Sequence, residues 1–288
     1  MKQFVDLHIH TNMSDGSDSV HEIIELAHNN NVSVISITDH NTLEAYTENT
    51  FLYASQAGLS LVPGVELDVR FDERQFHLLG YGIDLQNSRI REVCAYNSAV
   101  QEEYNLNLIK CMEKDIIGVS VKDYLDYRIL LGRGGWKLLN YLLDIGLTQS
   151  LLEGTKYYKQ YGFNSNTINF VSLEEAVKVI KEAGGISVFA HPAEQIAYNQ
   201  YDKQHEDFWN TLREILKSNV AGIECIHPLH AFGLQKELIN FCNERGLYIS
   251  GGTDYHGHFF NKQKQTIGGQ LIEINIAEHL LKCLGYYQ

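Results

Sequence analysis

The feature of this sequence that most constrains its fold is an alternation of strand-like and helix-like segments. Near the N-terminus, apolar residues at positions 5, 7 and 9 alternate with Asp6, His8 and His10. This period of two is typical of a strand. Further strand-like segments follow at residues 32–38, 59–67, 75–83, 186–190, 222–226 and 247–250. Strands separated by helices predict parallel βα units, and this many units favour a closed α/β barrel over an open sheet.

Helical signals separate these strands. Capping boxes begin at Ser19 and Ser172, each followed three residues later by Glu. Residues 91–161 have a helical period and no strand-like pattern. We therefore predict three parts: residues 1–90 form the first part of a barrel, residues 91–165 a helical insertion that makes a cap domain, and residues 166–288 the second part of the barrel.

The composition is that of a globular, cytoplasmic protein. The 288 residues are 44% hydrophobic and 20% charged, which excludes a disordered or fibrous chain. The net charge of −13 argues against binding to duplex nucleic acid. No apolar run approaches the ~20 residues of a membrane span, and the N-terminus lacks a secretory signal. The five cysteines are scattered without a CxxC pair, so we expect free thiols in a reducing compartment.

Nearly every predicted strand ends in a side chain that can bind a metal ion. Strand ends of a parallel barrel converge on one face, and residues two apart, such as His8 and His10, project to the same side. Imidazoles together with carboxylates favour Zn, Mn or Fe over Ca or Mg. Glu66 is the candidate to bridge two ions, since a carboxylate has two oxygens. The predicted ligands are His8, His10, Asp15, His40, Glu66, His77, His191, Asp254 and His256.

The motifs around these residues resemble those of the polymerase-and-histidinol-phosphatase (PHP) superfamily. They are Asp6-Leu7-His8-Ile9-His10-Thr11, Ser14-Asp15-Gly16, Thr38-Asp39-His40-Asn41-Thr42, Gly64-Val65-Glu66, His77-Leu78-Leu79-Gly80-Tyr81, Ala190-His191-Pro192 and Gly252-Thr253-Asp254-Tyr255-His256-Gly257. The resemblance covers most of the chain and implies a distorted (β/α)7, TIM-like barrel with a helical insertion. Within the superfamily, the chain is most similar to a bacterial branch acting on nucleoside 3′,5′-bisphosphates or 5′-phosphorylated oligonucleotides.

The resemblance also implies a cluster of three divalent metal ions. One ion would take His8, His10, Glu66 and Asp254; a second Glu66, His77 and His191; a third Asp15, His40 and His256. Asp15 favours the phosphoesterase and polymerase branches over histidinol phosphatase. Asn41 departs from the pattern, because the family often has Asp there. Asn41 is not a predicted ligand, so we expect any effect on the metals to be indirect.

Residues outside the ligand set are predicted to contact the substrate or take part in the reaction. Arg133 resembles an Arg that relatives place against the bound phosphate, which a guanidinium can bind with two hydrogen bonds. The alternative is a surface arginine in a Gly-rich turn. His230 is a candidate substrate contact and general acid. The segment around Tyr158 and Lys159 either stacks on a nucleotide or is packed by its aromatics, and packing is favoured.

The residues predicted to be catalytic are Glu66, Arg133, Asp254 and His256.

These observations predict a metal-dependent phosphoesterase. It would hydrolyse nucleoside 3′,5′-bisphosphates or short 5′-phosphorylated oligonucleotides by attack of a hydroxide that bridges metal ions. Three carboxylates with up to about three divalent cations give a positive site, which suits an anionic substrate. The alternatives are a histidinol-phosphate phosphatase and a non-catalytic, metal-stabilised binding or regulatory module. We expect a small phosphorylated substrate as partner, with neither duplex nucleic acid nor membrane, and leave the oligomeric state open.

Overall fold

A ring of β-strands forms the centre of the protein. The structure, a computed structural model, describes residues 4–196, 203–258, 266–269 and 272–287. Within these residues the strands are β1 (Phe4–Ile9), β2 (Val32–Ile37), β3 (Ser60–Phe71), β4 (Arg74–Tyr81), β5 (Ile186–Phe189), β6 (Gly222–Ile226), β7 (Tyr248–Gly251) and β8 (Ile272–Glu273). They are hydrogen-bonded in the order β7-β6-β5-β4-β3-β2-β1-β8. The predicted α/β barrel is confirmed: β1 to β7 follow one another in sequence order, and the short β8 pairs with β1.

Strand β4 runs in the direction opposite to its neighbours. It pairs antiparallel with both β3 and β5. The turn between β3 and β4 consists of Asp72 and Glu73, whose φ angles of 48° and 60° are those that a tight two-residue hairpin needs. The expectation of parallel βα units is therefore wrong for β4. Because β4 is reversed, its beginning, which carries His77, lies at the same end of the barrel as the C-terminal ends of the parallel strands.

The segment after β7 closes the ring against β1. The backbone N–H of Asp254 donates to the carbonyl of His8 at 2.9 Å, and that of His10 donates to the carbonyl of Tyr255 at 2.8 Å. A Cβ atom on Gly252 would lie 2.3 Å from the Cβ of His8, so only glycine permits this approach. Closure of the barrel and placement of two predicted ligands thus depend on the same contacts.

Helices surround the strands. They are α1 (Val20–Asn29), α2 (Glu48–Gln56), α3 (Ser88–Asp115), α4 (Val121–Asp126), α5 (Lys137–Asp144), α6 (Lys156–Gln160), α7 (Leu173–Glu182), α8 (Pro192–Gln195), α9 (Lys203–Leu216), α10 (Phe232–Arg245) and α11 (Glu278–Cys283). The capping box at Ser19 is complete. At Ser172 the hydroxyl accepts from the Glu175 amide at 3.2 Å, while the Glu175 carboxylate accepts from Arg89. Both predicted helix starts are confirmed, the second with a single capping bond.

The helical segment, residues 88–167, extends from the barrel by way of the long helix α3. Early residues of α3, such as Ile90 and Val93, pack in the barrel's apolar core. Later ones, such as Leu108 and Met112, belong to a separate apolar cluster within the segment. The segment contains no strand, as predicted. The division at residues 91 and 165 stays a prediction, because α3 belongs to both cores.

Two further sequence expectations concern membranes and thiols. In the part of the chain that the structure describes, no helix has the length and apolar character to cross a membrane. All five cysteines are free thiols, as expected. Cys225 and Cys242 are buried in the core with their sulfur atoms 3.7 Å apart.

Candidate metal centre

All nine predicted metal ligands meet at one end of the barrel. They lie within β1 and β3 and early in β4, closely follow β1, β2 and β5, or come from the loops after β1 and β7. Their nitrogen and oxygen atoms form overlapping groups, and within each group all ligand atoms lie within 4.8 Å of one another. The groups are His8, His10, Glu66 and Asp254; His10, Asp15, His40 and His256; His40, Glu66 and His77; and His191, Glu194 and Asp254.

The first group has four atoms around one point. The Nε2 atoms of His8 and His10 each lie 3.1–3.3 Å from Glu66 Oε2 and from Asp254 Oδ1. Ligand atoms about 2.0 Å from a tetrahedral zinc ion are about 3.3 Å apart. The spacing therefore fits the coordination of one transition-metal ion. Nε2 of His10 is buried without a hydrogen bond, as expected for a lone pair that points to a cation.

The other oxygen of Glu66 faces two more imidazoles. Glu66 Oε1, His77 and His191 together are called the second group. Glu66 Oε1 lies 3.2 Å from His77 Nδ1 and 3.0 Å from His191 Nε2, and these two nitrogens are 3.3 Å apart. Glu66 thus offers one oxygen to each of two adjacent groups. That is the arrangement a bridging carboxylate requires.

The third group is looser. His256 Nε2 lies 3.4 Å from Asp15 Oδ2, and His10 Nδ1 lies 3.5 Å from Asp15 Oδ1. His40 belongs to this group, but its Nε2 also lies 3.4 Å from Glu66 Oε2. His40 therefore stands between the third group and the first. The His256 ring is oriented by a 2.8 Å hydrogen bond between Nδ1 and the Asp254 carbonyl, which leaves Nε2 available as a ligand.

Electrostatics show that this pocket requires positive charge. Burial would raise the pKa of the Glu66 carboxyl, but the facing imidazoles hold it well below its ordinary value. Neighbouring imidazoles likewise outweigh burial at Asp15 and Asp254 and lower the pKa values of both carboxyls. Burial lowers the pKa of His10, yet Asp254, Glu66 and Asp15 outweigh it and raise that pKa to about 10. Without metal, protons on imidazole must balance the carboxylates, and divalent cations can take their place.

Glu224 was missed by the sequence analysis. It lies in β6, is fully buried, and its Oε1 is 2.9 Å from His8 Nδ1. Its Oε2 accepts the backbone N–H of His191 at 2.7 Å. A carboxylate in this position holds the proton on Nδ1 and turns Nε2 toward the ion. The available signal was a glutamate inside an otherwise apolar strand, which is costly unless it has a partner.

Asp68 plays a similar part at His77 and was also missed. Its Oδ1 lies 3.2 Å from His77 Nε2, so Nδ1 faces the second group. The amides of Asn41 and Gln75 donate to the Asp68 carboxylate. The Asn41 side chain therefore reaches His77 through Asp68, and its indirect effect on the metals stays a prediction.

Two further carboxylates hold the loops of the site. Asp39 accepts hydrogen bonds from the amide and hydroxyl of Thr11 and from the hydroxyl of Ser14, which fixes the turn that presents Asp15. Asp6 accepts from the amide and hydroxyl of Thr253 at 2.9 and 2.7 Å, which fixes the loop before Asp254. Both bind backbone and hydroxyl groups of the loops that carry ligands.

The structure does not support the substrate role predicted for His230. The ring is buried: Nδ1 lies 3.0 Å from the Cys225 carbonyl, and Nε2 accepts from the Ala193 amide at 3.4 Å. Both nitrogens are used by the backbone, so neither faces a substrate. His227 is the histidine near the cluster instead, with its Nε2 3.4 Å from Asp254 Oδ2.

Arg133 is also placed differently from the prediction. Its guanidinium pairs with Asp144 on α5, and Arg133 is not among the residues lining the cavities beside the cluster. A carboxylate of its own segment takes the place expected for a phosphate. The Gly-rich turn itself does reach the site, because the Gly135 amide donates to the carbonyl of Asp15 at 2.6 Å.

Two cavities adjoin the cluster. A small one of about 140 Å³ lies among the ligands and is completed by Trp136, Glu194 and Leu229. A larger one of about 970 Å³ lies between the barrel and the helical segment and shares His40, His77 and Trp136 with the first. The walls of the larger cavity carry aromatic, amide and basic side chains, which include Tyr104, Asn105, Lys137, Tyr158, Lys159, Phe163 and Asn164. They also carry the carboxylates of Asp68 and Glu102.

The chain is similar to known proteins with phosphoesterase and nuclease names. A family model described as the PHP domain matches residues 6–227. A phosphoribosyl 1,2-cyclic phosphate 1,2-diphosphodiesterase of Eggerthella lenta is 26% identical over 263 residues, covering 88% of this chain and 94% of the relative. A 3′,5′-nucleoside bisphosphate phosphatase of Chromobacterium violaceum is 24% identical over 263 residues, covering 88% and 87%. A 5′-3′ exoribonuclease of Haemophilus influenzae is 26% identical over 264 residues, covering 89% and 91%.

Solved structures share the fold. An inferred metal-dependent phosphoesterase of Bifidobacterium adolescentis superposes with a TM-score of 0.75 at 20% identity, covering 98% of this chain and 96% of the other. An amidohydrolase of Chromobacterium violaceum superposes with a TM-score of 0.74 at 21% identity, covering 97% and 96%. Both comparisons extend over nearly the whole chain, so the helical segment belongs to the shared architecture together with the barrel.

Proposed function

The chain belongs to the PHP domain family, and from that premise we propose that it hydrolyses phosphate esters of nucleotides with the help of divalent metal ions. The observation that carries this proposal is the pair of ligand groups joined by Glu66. One oxygen lies 3.1 Å from His10 Nε2, and the other lies 3.0 Å from His191 Nε2. A carboxylate between two such groups suits two neighbouring cations, which is a recurrent device of phosphoryl transfer.

The ligand set supports a cluster of up to three ions. The three groups provide the ligands expected for the ions, although His10 and His40 each lie close to two of them. Imidazole and carboxylate together favour Mn, Zn or Fe. When bound, such ions polarise phosphoryl oxygens and acidify water. We propose Glu66, Asp254 and His256 as the residues nearest the reacting phosphate.

The protein's own groups prepare this chemistry by holding tautomers and excluding water. Glu224 keeps the His8 proton on Nδ1, and Asp68 holds the His77 ring through Nε2. Leu229 and Trp136 contribute apolar surface to the small cavity. Fixed ligands in a partly dry pocket strengthen the electrostatic stabilisation of charge that develops on the phosphate.

The larger cavity supports a nucleotide over a small alcohol phosphate. Its volume of about 970 Å³ lies in the range of sites for ligands of this size. Tyr104 and Tyr158 stack on each other in its wall, with ring centroids 5.7 Å apart. Lys137 is paired with Glu102 at 2.8 Å, whereas Lys159 contributes an exposed cation. Aromatic and basic groups side by side suit a base and its phosphates.

The named activities of the relatives point to phosphorylated ribose compounds. They are a cyclic phosphoribosyl diphosphodiesterase, a nucleoside bisphosphate phosphatase and exoribonucleases. For this chain we propose a 3′,5′-bisphosphate nucleotide or a short 5′-phosphorylated oligonucleotide as substrate.

Turnover of a small panel of esters tests the proposal. The purified protein is stripped with a chelator, reloaded with Mn²⁺, Zn²⁺ or Fe²⁺, and assayed with four substrates. These are adenosine 3′,5′-bisphosphate, a 5′-phosphorylated dinucleotide, phosphoribosyl 1,2-cyclic phosphate and histidinol phosphate. We expect activity on the first or second substrate that the chelator abolishes and metal restores.

Variants separate the cluster from general folding. The His8→Ala, Glu66→Ala double variant should lose turnover, while Glu214→Gln, a control on the exposed face of α9, should keep it. If histidinol phosphate is hydrolysed in preference to the nucleotides, it replaces them as the proposed substrate. A protein that retains metal and hydrolyses none of the esters would identify a binding module, and unchanged turnover in the double variant would remove the cluster from the reaction.

A further inference from the structure

Trp136 lines both of the cavities beside the cluster. Of the residues that line both the small cavity at the cluster and the larger cavity, two are the predicted ligands His40 and His77. The third is Trp136. An ester with its phosphate at the cluster and the rest of the molecule in the larger cavity would therefore pass these three residues.

The backbone of Trp136 is fixed to both sides of the passage. On the barrel side, the preceding Gly135 amide donates to the Asp15 carbonyl at 2.6 Å. On the helical side, the buried Asn140 donates from its backbone to the Trp136 carbonyl at 3.1 Å and from its amide to the Gly134 carbonyl at 2.8 Å. Trp136 is thus carried on a rigid turn, as a selective contact requires.

The other residues of the small cavity bear on the role of Trp136. Apart from predicted ligands, the small cavity is lined by Glu194, Leu229 and Trp136. Glu194 belongs to one of the candidate ligand groups, and Leu229 is aliphatic. Trp136 brings an indole to this cavity, and aromatic surfaces bind nucleobases by stacking without regard to base identity.

We propose that Trp136 is the specificity-determining residue of this site. It stacks on the base of the nucleotide unit that carries the reacting phosphate, and so selects esters with a base over small alcohol phosphates. This inference rests on the proposed function for its substrate class. It adds a residue and a direction of selectivity that can be measured by binding alone.

Fluorescence tests the contact directly. The chain has two tryptophans, so Trp209→Phe leaves Trp136 as the single emitter. The zinc-loaded variant is titrated with adenosine 5′-monophosphate and, separately, with ribose 5-phosphate. We expect saturable quenching by the nucleotide and none by the sugar phosphate. Equal responses to both ligands, or no response to the nucleotide, would overturn the proposal.

Kinetics and matched variants complete the test. Trp136→Ala should lower kcat/KM for adenosine 3′,5′-bisphosphate by about 5- to 150-fold, the range for one stacked base. Turnover of glycerol 3-phosphate, which has no base to stack, should fall much less than turnover of the nucleotide. Trp136→Phe should restore most of the loss and guards against a folding defect in the Ala variant. Leu229→Ala, which changes only the small cavity, should not discriminate between the two esters.

The outcomes distinguish this inference from the proposed function. Quenching by the nucleotide without hydrolysis of any ester would support the Trp136 contact and refute the phosphoesterase activity. Hydrolysis of nucleotides with an equal loss for both esters in Trp136→Ala would refute the Trp136 role and keep the activity.

Discussion

Replacing Glu224 by Gln should weaken metal binding without unfolding the barrel. The two oxygens of Glu224 face two donors, the Nδ1–H of His8 at 2.9 Å and the backbone N–H of His191 at 2.7 Å. Glutamine keeps the shape but has one acceptor oxygen. The backbone N–H can only donate, so the oxygen must stay with His191. The new NH2 group then faces His8 Nδ1.

The consequence for His8 is a change of tautomer. A donor opposite Nδ1 favours the form with the proton on Nε2, the atom that lies 3.2 Å from Glu66 Oε2. That proton must leave before Nε2 can bind an ion. Loss of such a supporting carboxylate typically costs 10- to 100-fold in metal affinity, or about 1.4–2.7 kcal/mol.

Chelator competition measures this loss. Zn²⁺ affinity is determined for the wild type, Glu224→Gln and the control Cys225→Ala, the adjacent residue of β6, which packs in the apolar core. Cys225→Ala should lower the free energy of unfolding and leave affinity unchanged. The reasoning is refuted if Glu224→Gln binds zinc as tightly as the wild type, or if Cys225→Ala weakens binding equally.

Three more results follow from the same contacts. Burial lowers the pKa of His230 to about 4 from 6.5, so only the unfolded chain takes up this proton between those pH values, and stability falls as pH falls through that window. In urea unfolding of metal-free protein, His230→Asn should remove up to about 3 kcal/mol of this pH dependence; an unchanged pH profile would contradict it. The pKa of His10 is raised to about 10, so zinc added at pH 8 should displace a proton, seen as a binding heat that changes with the buffer's ionisation enthalpy; identical heats in all buffers would refute it. Asp68→Asn should weaken the ion at His77 by about 10-fold and spare the site at His8, measured as one weakened class of sites in a metal titration; a uniform loss would show that Asp68 acts on the whole cluster.

The convergence of the nine predicted ligands could be predicted from the sequence because their signals are local. Alternation around His8 and His10 places both on one strand face, and the ends of parallel strands converge in any α/β barrel. The direction of β4 could not be predicted in this way. It depends on the two-residue turn at Asp72 and Glu73, whose positive φ angles are not marked by Gly or Asn. His77 was chosen correctly as a neighbour of the cluster, but its strand arrives from the other side.

Residues that act through partners distant in the sequence were harder to assign. Glu224 lies 216 positions from His8, and nothing near Glu224 in the sequence indicates which buried donor it meets. Arg133 was assigned to a phosphate because its turn resembles one in relatives, but Asp144, on the helix that follows, is a nearer acceptor. Pairings of this kind depend on packing between elements, which periodicity and spacing do not encode.

The geometry of the cluster is obtained at the expense of local stability. His191 and Asp254 have φ angles of 22° and 52°, a region that costs non-glycine residues about 1–3 kcal/mol each. Glu224 holds the His191 amide, and the His8 carbonyl holds the Asp254 amide. The strained backbone is therefore stabilised by the same strands that supply other ligands. Because bound cations would stabilise these side chains only in the folded barrel, metal binding and closure of β1 against the segment after β7 are thermodynamically linked.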